Sequence, residues 1–480
     1  MPDNPRLTRS DTERPKTGIV HLGPGAFFRA FNAVYTSEAM AAQAGDWGIT
    51  VVSLRSPDIR DRLVPQGCAY LSVTLTPEGH KYQQIEAIND ALVAAEDPRA
   101  VLAAMADPDV RIVSLTVTEK GYCHNPATGQ LRLDDPDIVH DLAAPDAPRS
   151  APGFLVHALA RRRVAGHAPF TVLSCDNLPH NGALIRNVVL AFARALDADL
   201  ANWIETKGRF PATMVDRITP ATTPADIAAV AEATGREDQA CVMHEPFRQW
   251  VIEDDFVEGA RPAWDAGGAQ FVRDVAAFET MKLRCLNGTH STLAYLGYLA
   301  GYETIAQTVA DPGFAALIDD LWRAEIIPTV PQPEGEDLLA YCASLKTRYL
   351  NPAIRHRTWQ IAMDGSQKLP QRLLGTIRDN LAAGRGVPRL ALAVAGWMRY
   401  VGGVDETGAV IEVKDPLAAD LRGAYDAGGR PEEKVANLLA IRDIFDAELA
   451  GHPEFRAAVT ASFEALMDKG ARQVVRDMIA

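Results

Sequence analysis

Lys282, Asn287 and His290 interrupt an otherwise apolar stretch, MKLRCLNGTHSTLAYLGYLAG, at residues 281–301. At about 100° per residue, with Lys282 as origin, Glu279 falls near about 60°, His290 near about 80° and Asn287 near about 140°, so the four share one arc. Taken singly, each reads as a helix edge or a satisfied core group. Together they suit proton abstraction. A lysine whose ammonium is penalised by burial becomes a base, able to take a hydroxyl proton while the carbon gives up hydride to a nicotinamide. The oxygen left behind needs fixed donors, which an amide such as Asn287 supplies, and His290 can orient a neighbouring hydroxyl.

A second amide follows the apolar run PFTVL. The segment SCDNLPHNG places Asp176 and Asn177 at the carboxyl end of a strand, the edge where open α/β sheets bind ligands. An Asx-type turn closing the strand fits the same residues. Asn177 with Asn287 would make a two-amide site for an oxyanion.

HLGPGAFFRA sets Gly23 and Gly25 between a strand and a helix that opens with Ala26 and Phe27. Glycines there let a pyrophosphate approach the free N–H groups of the helix start. Phe28 stands where a third glycine is usual. Beyond the next strand, Asp58 in SLRSPDIRD is the candidate for the adenine ribose hydroxyls, further on than the ~20 residues of the compact motif. It also suits a helix N-cap before IRDRL. Arg55 and Arg60 flank it and could take a 2′-phosphate, so the reading leans to NAD over NADP.

The elements that must carry these residues are apolar strand candidates at 18–23, 47–55, 111–118 and 169–177, alternating with helical stretches such as AFFRAFNAVYTSEAMAAQ, DALVAAEDPRAVLAAMA and ALIRNVVLAFARALDADLANWI. That alternation predicts an α/β domain with a parallel sheet covered on both faces over residues 1–275. Residues 276–480 read as a mainly α-helical domain, with helical segments at 281–301, 303–325, 337–347, 368–384, 387–401, 431–448 and 452–479. A cleft between the two is the expected ligand site.

A net charge of −14 argues against a nucleic-acid partner. The six cysteines form no C-x-x-C pair and read as thiols of a reducing compartment. The polar N-terminus does not read as a signal peptide, and no apolar run of about 18 residues suggests a membrane span. The expected location is the cytoplasm.

HLGPGAFFRA, SLTVTEKGYC, SCDNLPHNG, MVDRITP, EPFRQWVIEDDF, MKLRCLNGTH and MDGSQKLPQR together resemble the polyol-specific long-chain dehydrogenases, the mannitol dehydrogenase and fructuronate reductase family. The resemblance spans nearly the whole chain. It implies a Rossmann-type N-terminal domain, a helical C-terminal domain, NAD as cofactor, no metal, and a monomer acting on a small sugar acid or polyol. Lys282 then looks like the catalytic base, Asn177 and Asn287 like the oxyanion donors, and Glu279 like the proton relay to solvent. His290, Asp216 and Lys368 look like substrate-binding groups. Without the resemblance, Asp216 reads as an ion-pair partner of Arg217 and Lys368 as a solvated loop lysine.

Phe28 and Phe31 replace histidines common in the family, and Gln360 stands where mannitol 2-dehydrogenases can carry an arginine. RHRTWQIAMDGSQKLPQR looks closer to the fructuronate reductase branch. The expected reaction is metal-independent oxidation of a secondary alcohol, interconverting D-mannonate and D-fructuronate, with D-mannitol 2-dehydrogenase or D-arabinitol dehydrogenase as the alternative. A zinc enzyme would show clustered Cys and His, and a short-chain dehydrogenase Tyr-x-x-x-Lys. A non-catalytic NAD-binding sensor would have no use for the polar arc.

Overall fold

A computed structural model describes residues 4–10, 13–126 and 128–479; residues 1–3 and 11–12 of the polar N-terminus lie outside them. By internal packing the chain divides into two units, Met1–Ala276 and Ala277–Ala480.

The strands of the first unit are β1 (Thr17–Leu22), β2 (Gly48–Ser53), β3 (Tyr70–Thr76), β4 (Gly79–Ile85), β5 (Ile88–Val93), β6 (Ile112–Leu115), β7 (Thr171–Ser174), β8 (Thr213–Asp216), β9 (Val242–His244), β10 (Gln249–Glu253) and β11 (Gln270–Val272). Five form a sheet in the order β5-β2-β1-β6-β7, and every neighbouring pair in it is parallel. The chain works outward from β1 to β2 and β5, then returns to the other side of β1 at β6. The order thus reverses between β1 and β6, where doubly wound sheets bind ligands beyond the carboxyl ends.

Successive side chains of a strand point to opposite faces. Val20 and Leu22 enter one core, with Val101, Phe154, Leu155 and Val189 from the helices Pro98–Ala106, Ala151–Val164 and Asn181–Leu196. Ile19 enters the other, with Phe28, Phe31, Tyr35, Trp250 and Trp264. This is a Rossmann-type architecture, to which two small sheets, β4-β3-β9 and β11-β10-β8, are added.

Several helical expectations need correction. Residues 90–93 of DALVAAEDPRAVLAAMA belong to β5, not to a helix. The helix begins only at Pro98, where the Asp97 carboxylate accepts the Ala100 N–H at 2.9 Å. The run after the glycine turn breaks at Phe31 (φ −129°, ψ −83°), and 183–204 breaks at Asp197, which caps Ala198–Lys207. Hairpin β3-β4 and the short strands β8 to β11 were not foreseen.

Among its described residues the second unit contains helices and no named strand. Its centre is Pro388–Val401, from which Leu390 to Met398 are buried. A Cβ on Gly396 would lie 2.7 Å from Leu296, so glycine lets this helix close on Thr289–Leu299. Segment 303–325 breaks at Asp311 and 452–479 at Gly470 (φ +76°). Among the described residues, no helix is long and apolar enough to cross a membrane.

Candidate active site

At the end of β1 the chain turns through Gly23, whose φ of +92° disfavours a side chain; a Cβ there would meet Thr116 O at 2.3 Å. Gly25 is the opposite case: exposed, with nothing nearer its Cβ position than Gly23 O at 4.0 Å. The turn is fastened from below. Thr116 Oγ1 donates to Gly23 O at 2.7 Å, and His21 reaches Ser114 Oγ at 2.8 Å, Thr116 Oγ1 at 3.0 Å and Gly23 O at 3.2 Å. Burial pushes the His21 pKa down to about 3, leaving the ring neutral. Phe28 stacks on that ring at 3.6 Å. Its side chain packs inward, so it replaces a third glycine without filling the space above Gly25. The half-buried Ala26 and Phe27 open the helix, whose first N–H groups lack intrahelical acceptors. This open cradle fits a dinucleotide pyrophosphate.

Asp58 is exposed and stands one position inside Asp58–Leu63, where Pro57 rather than Asp58 is the N-cap. Arg60 is held by Glu96 and by Asp61 at 2.8 Å. Arg55 pairs with Asp137 at 3.4 Å. Both arginines are thus engaged by carboxylates, which leaves less positive charge for a 2′-phosphate.

Beyond β7, Asp176 is buried and receives Val117 N–H at 3.0 Å, Thr118 N–H at 2.9 Å and Tyr122 Oη–H at 2.8 Å. It ties the loop after β6 to the end of β7. Asn177, next in the chain, is exposed. Asn181, which sequence reasoning missed, bonds Asp176 O at 3.0 Å and Thr213 O at 2.9 Å and receives Thr213 N–H at 2.9 Å. That locks SCDNLPHNG to β8, at whose end Asp216 is buried. Arg217 turns to the carbonyls of Ala30 (2.5 Å) and Glu245 (3.2 Å).

In the second unit Lys282 is only 8% exposed, and it begins a π-helix, Lys282–Gly288, continuing into Thr289–Leu299. The wider turn bonds residues five apart, so the step of 100° assumed from sequence does not hold here. Side chains satisfy the loosened carbonyls. Thr289 Oγ1 (2.5 Å) and Trp322 Nε1 (2.9 Å) donate to Cys285 O, and Tyr349 Oη donates to Leu286 O at 3.0 Å. Glu279 and Asn287 are half-buried.

His290 is buried, its ring 5.0 Å from Tyr349 and 4.7 Å from His356. Burial holds its pKa well below the usual value, helped by the charges of Arg372, Arg348 and Lys368. Lys368 is no solvated lysine. It donates to Met363 O at 2.6 Å, and burial, then Arg372, pushes its pKa down to about 8. Arg372 and His356 were also missed from sequence. Arg372 donates to Ser291 Oγ at 3.1 Å.

The first unit thus holds the glycine turn, Asp58, Asn177 and Asp216, and the second holds Glu279, Lys282, Asn287, His290 and Lys368. Among the described residues no group of three or more His, Cys, Asp or Glu side chains is placed to hold a metal ion.

Residues 17–266 match the mannitol dehydrogenase Rossmann domain and residues 274–467 the mannitol dehydrogenase C-terminal domain. The chain is 49% identical to a D-mannonate oxidoreductase of Escherichia coli over 469 residues, covering 97% of this chain and 96% of that one. Among solved structures it resembles a mannitol 2-dehydrogenase of Pseudomonas fluorescens in ternary complex with NAD and D-mannitol, at TM-score 0.85 and 38% identity, covering 99% and 97% of the two chains. It also resembles a substrate-free D-sorbitol dehydrogenase, at TM-score 0.90 and 33% identity, covering 99% and 98%. With its glycine-turn unit and its helical unit both matched, the chain belongs to the mannitol dehydrogenase family of oxidoreductases.

Proposed function

We propose that the protein is an NAD-dependent dehydrogenase of an open-chain sugar acid, interconverting D-mannonate and D-fructuronate without a metal ion. The carrying observation is the placing of cations about the buried His290: Arg372 donates to the adjacent Ser291 Oγ at 3.1 Å, and the half-buried Lys368 donates to Met363 O at 2.6 Å, a setting suited to a carboxylate. The extensive identity to a D-mannonate oxidoreductase supports the same substrate class.

Bound NAD supplies the hydride acceptor. Gly23 and Gly25 admit its pyrophosphate, Ala26 and Phe27 offer main-chain N–H groups, and Asp58 accepts from the adenine ribose hydroxyls. Lys282, as the neutral amine, takes the hydroxyl proton, and Glu279 relays it to solvent. Asn177 and Asn287 donate to the oxygen as its charge grows. His290, Asp216 and Lys368 hold the rest of the substrate. The same reading has a monomer in the cytoplasm, a compartment that suits six free thiols, five of them buried.

The test is a panel of D-mannonate, D-mannitol and D-arabinitol followed at the nicotinamide absorbance with NAD and NADP, with and without a chelator, and fructuronate and fructose in reverse. Highest kcat/KM on D-mannonate with NAD, insensitive to chelation, is expected. A higher value on D-mannitol would move the assignment to the polyol branch.

A further inference from the structure

Two buried ring nitrogens, His290 Nε2 and His356 Nδ1, make no hydrogen bond among the described residues. Their rings stand edge to face at 4.7 Å, 82° apart. A buried polar nitrogen left unpaired is costly, and two on touching rings mark a place that a ligand completes. Its charge follows from the neighbours. Arg372, half-buried, donates to Ser291 Oγ at 3.1 Å and pairs with no carboxylate among the described residues. Lys368 acts on both imidazoles, its ammonium on main-chain carbonyls and Asp364 and Asp415 at longer range. Burial and Lys368 push the His356 pKa down to about 4, so this ring is a neutral donor rather than another cation.

We propose that His356 is a specificity-determining residue whose Nδ1–H donates to the carboxylate of the sugar-acid substrate beside His290. The inference rests on the sugar-acid reading above. The main chain holds the segment that carries His356 without help from its side chain. His356 O accepts Ile305 N–H at 3.0 Å, His356 N–H donates to Ile354 O at 2.8 Å, and Arg357 bridges to Thr304. Substitutions of the imidazole should therefore leave the segment in position. A neutral donor reads a carboxylate against a hydroxymethyl group by one charge-assisted hydrogen bond, worth roughly 10- to 100-fold in discrimination.

The experiment compares wild type, His356→Leu and His356→Asn on D-mannonate and D-mannitol, with kcat and KM determined separately. His356→Leu should raise KM for D-mannonate roughly tenfold or more, leave its kcat within about threefold, and lower the mannonate-to-mannitol ratio of kcat/KM by the same factor. His356→Asn, whose amide can reproduce the Nδ1 donor, should restore much of that ratio. Equal losses on both substrates, or an unchanged ratio in both variants, would overturn the proposal while leaving the sugar-acid reading intact. A wild type active on D-mannitol and inert to D-mannonate would overturn that reading, and this inference with it.

Discussion

At the glycine turn His21 uses both ring nitrogens, on Ser114, Thr116 and Gly23, whereas in the helical unit His290 and His356 each keep a buried nitrogen without a hydrogen-bond partner among the described residues. Both rest on buried imidazoles, but only at the first are the ring's hydrogen bonds complete. Its backbone is held ready, so a dinucleotide bound there, as proposed, would meet N–H groups already in position with little ordering left to oppose binding. Under the proposal above, the partners around His290 come from the substrate, and a molecule lacking them leaves buried groups unpaired. Binding by a finished frame tolerates variation in the ligand, whereas binding by unmet hydrogen bonds discriminates.

Replacing Lys282 by alanine should separate the two most sharply. Turnover is expected to fall by about three orders of magnitude, while NADH affinity, measured by fluorescence titration, stays within about threefold. An unaltered rate would remove the lysine from the chemistry. Gly23→Ala should do the reverse: with Thr116 O only 2.3 Å from the new Cβ, stability should drop by about 2 kcal/mol and the NADH dissociation constant rise roughly tenfold. Unchanged NADH binding in the folded variant would move the pyrophosphate elsewhere.

Asp58→Ala should weaken NAD by about tenfold and narrow the preference over NADP, with kcat at saturating NAD retained; an unaffected KM for NAD would make Asp58 only a first-turn helix residue. The smallest effect is in pH. Lys368, with its pKa lowered to about 8 by burial and Arg372, is charged below that value and loses its charge above it. The D-mannonate to D-mannitol ratio of kcat/KM should therefore fall a few-fold from about pH 7 to pH 9, the proton on Lys282 cancelling in the ratio. Lys368→Met should flatten that dependence, and a slope that survives the substitution would assign it to another group.

What the sequence disclosed follows from where each signal resides. β1, β2, β6 and β7 were legible because each is a nearly continuous apolar run ending in Gly, Asn or charge. Strand β5 was hidden: its residues DALV run straight into AAED, and only the Asp97 cap separates strand from helix. The polar arc was visible as composition, but its geometry was not. The π turn is supported by Thr289, Trp322 and Tyr349, two of which lie far along the chain. Arg60 looked available beside Asp58 until Glu96, 36 residues on, took it. Lys368 and Asp216 carried no local mark, and His356 was one basic residue between two arginines.

The seven-residue π segment gives that helix an unusual tolerance of a change in length. Deleting a single residue between Lys282 and Gly288 would let ordinary four-residue bonding resume while the helix beyond keeps nearly the same orientation, because a π segment takes up about one extra residue. His290 would keep the side it shares with His356 and Tyr349, and the change would fall on the carbonyls of Cys285 and Leu286, which now accept from Thr289, Trp322 and Tyr349. The same deletion within the regular helix Thr289–Leu299 has no such slack and would turn every later residue of it by about 100°.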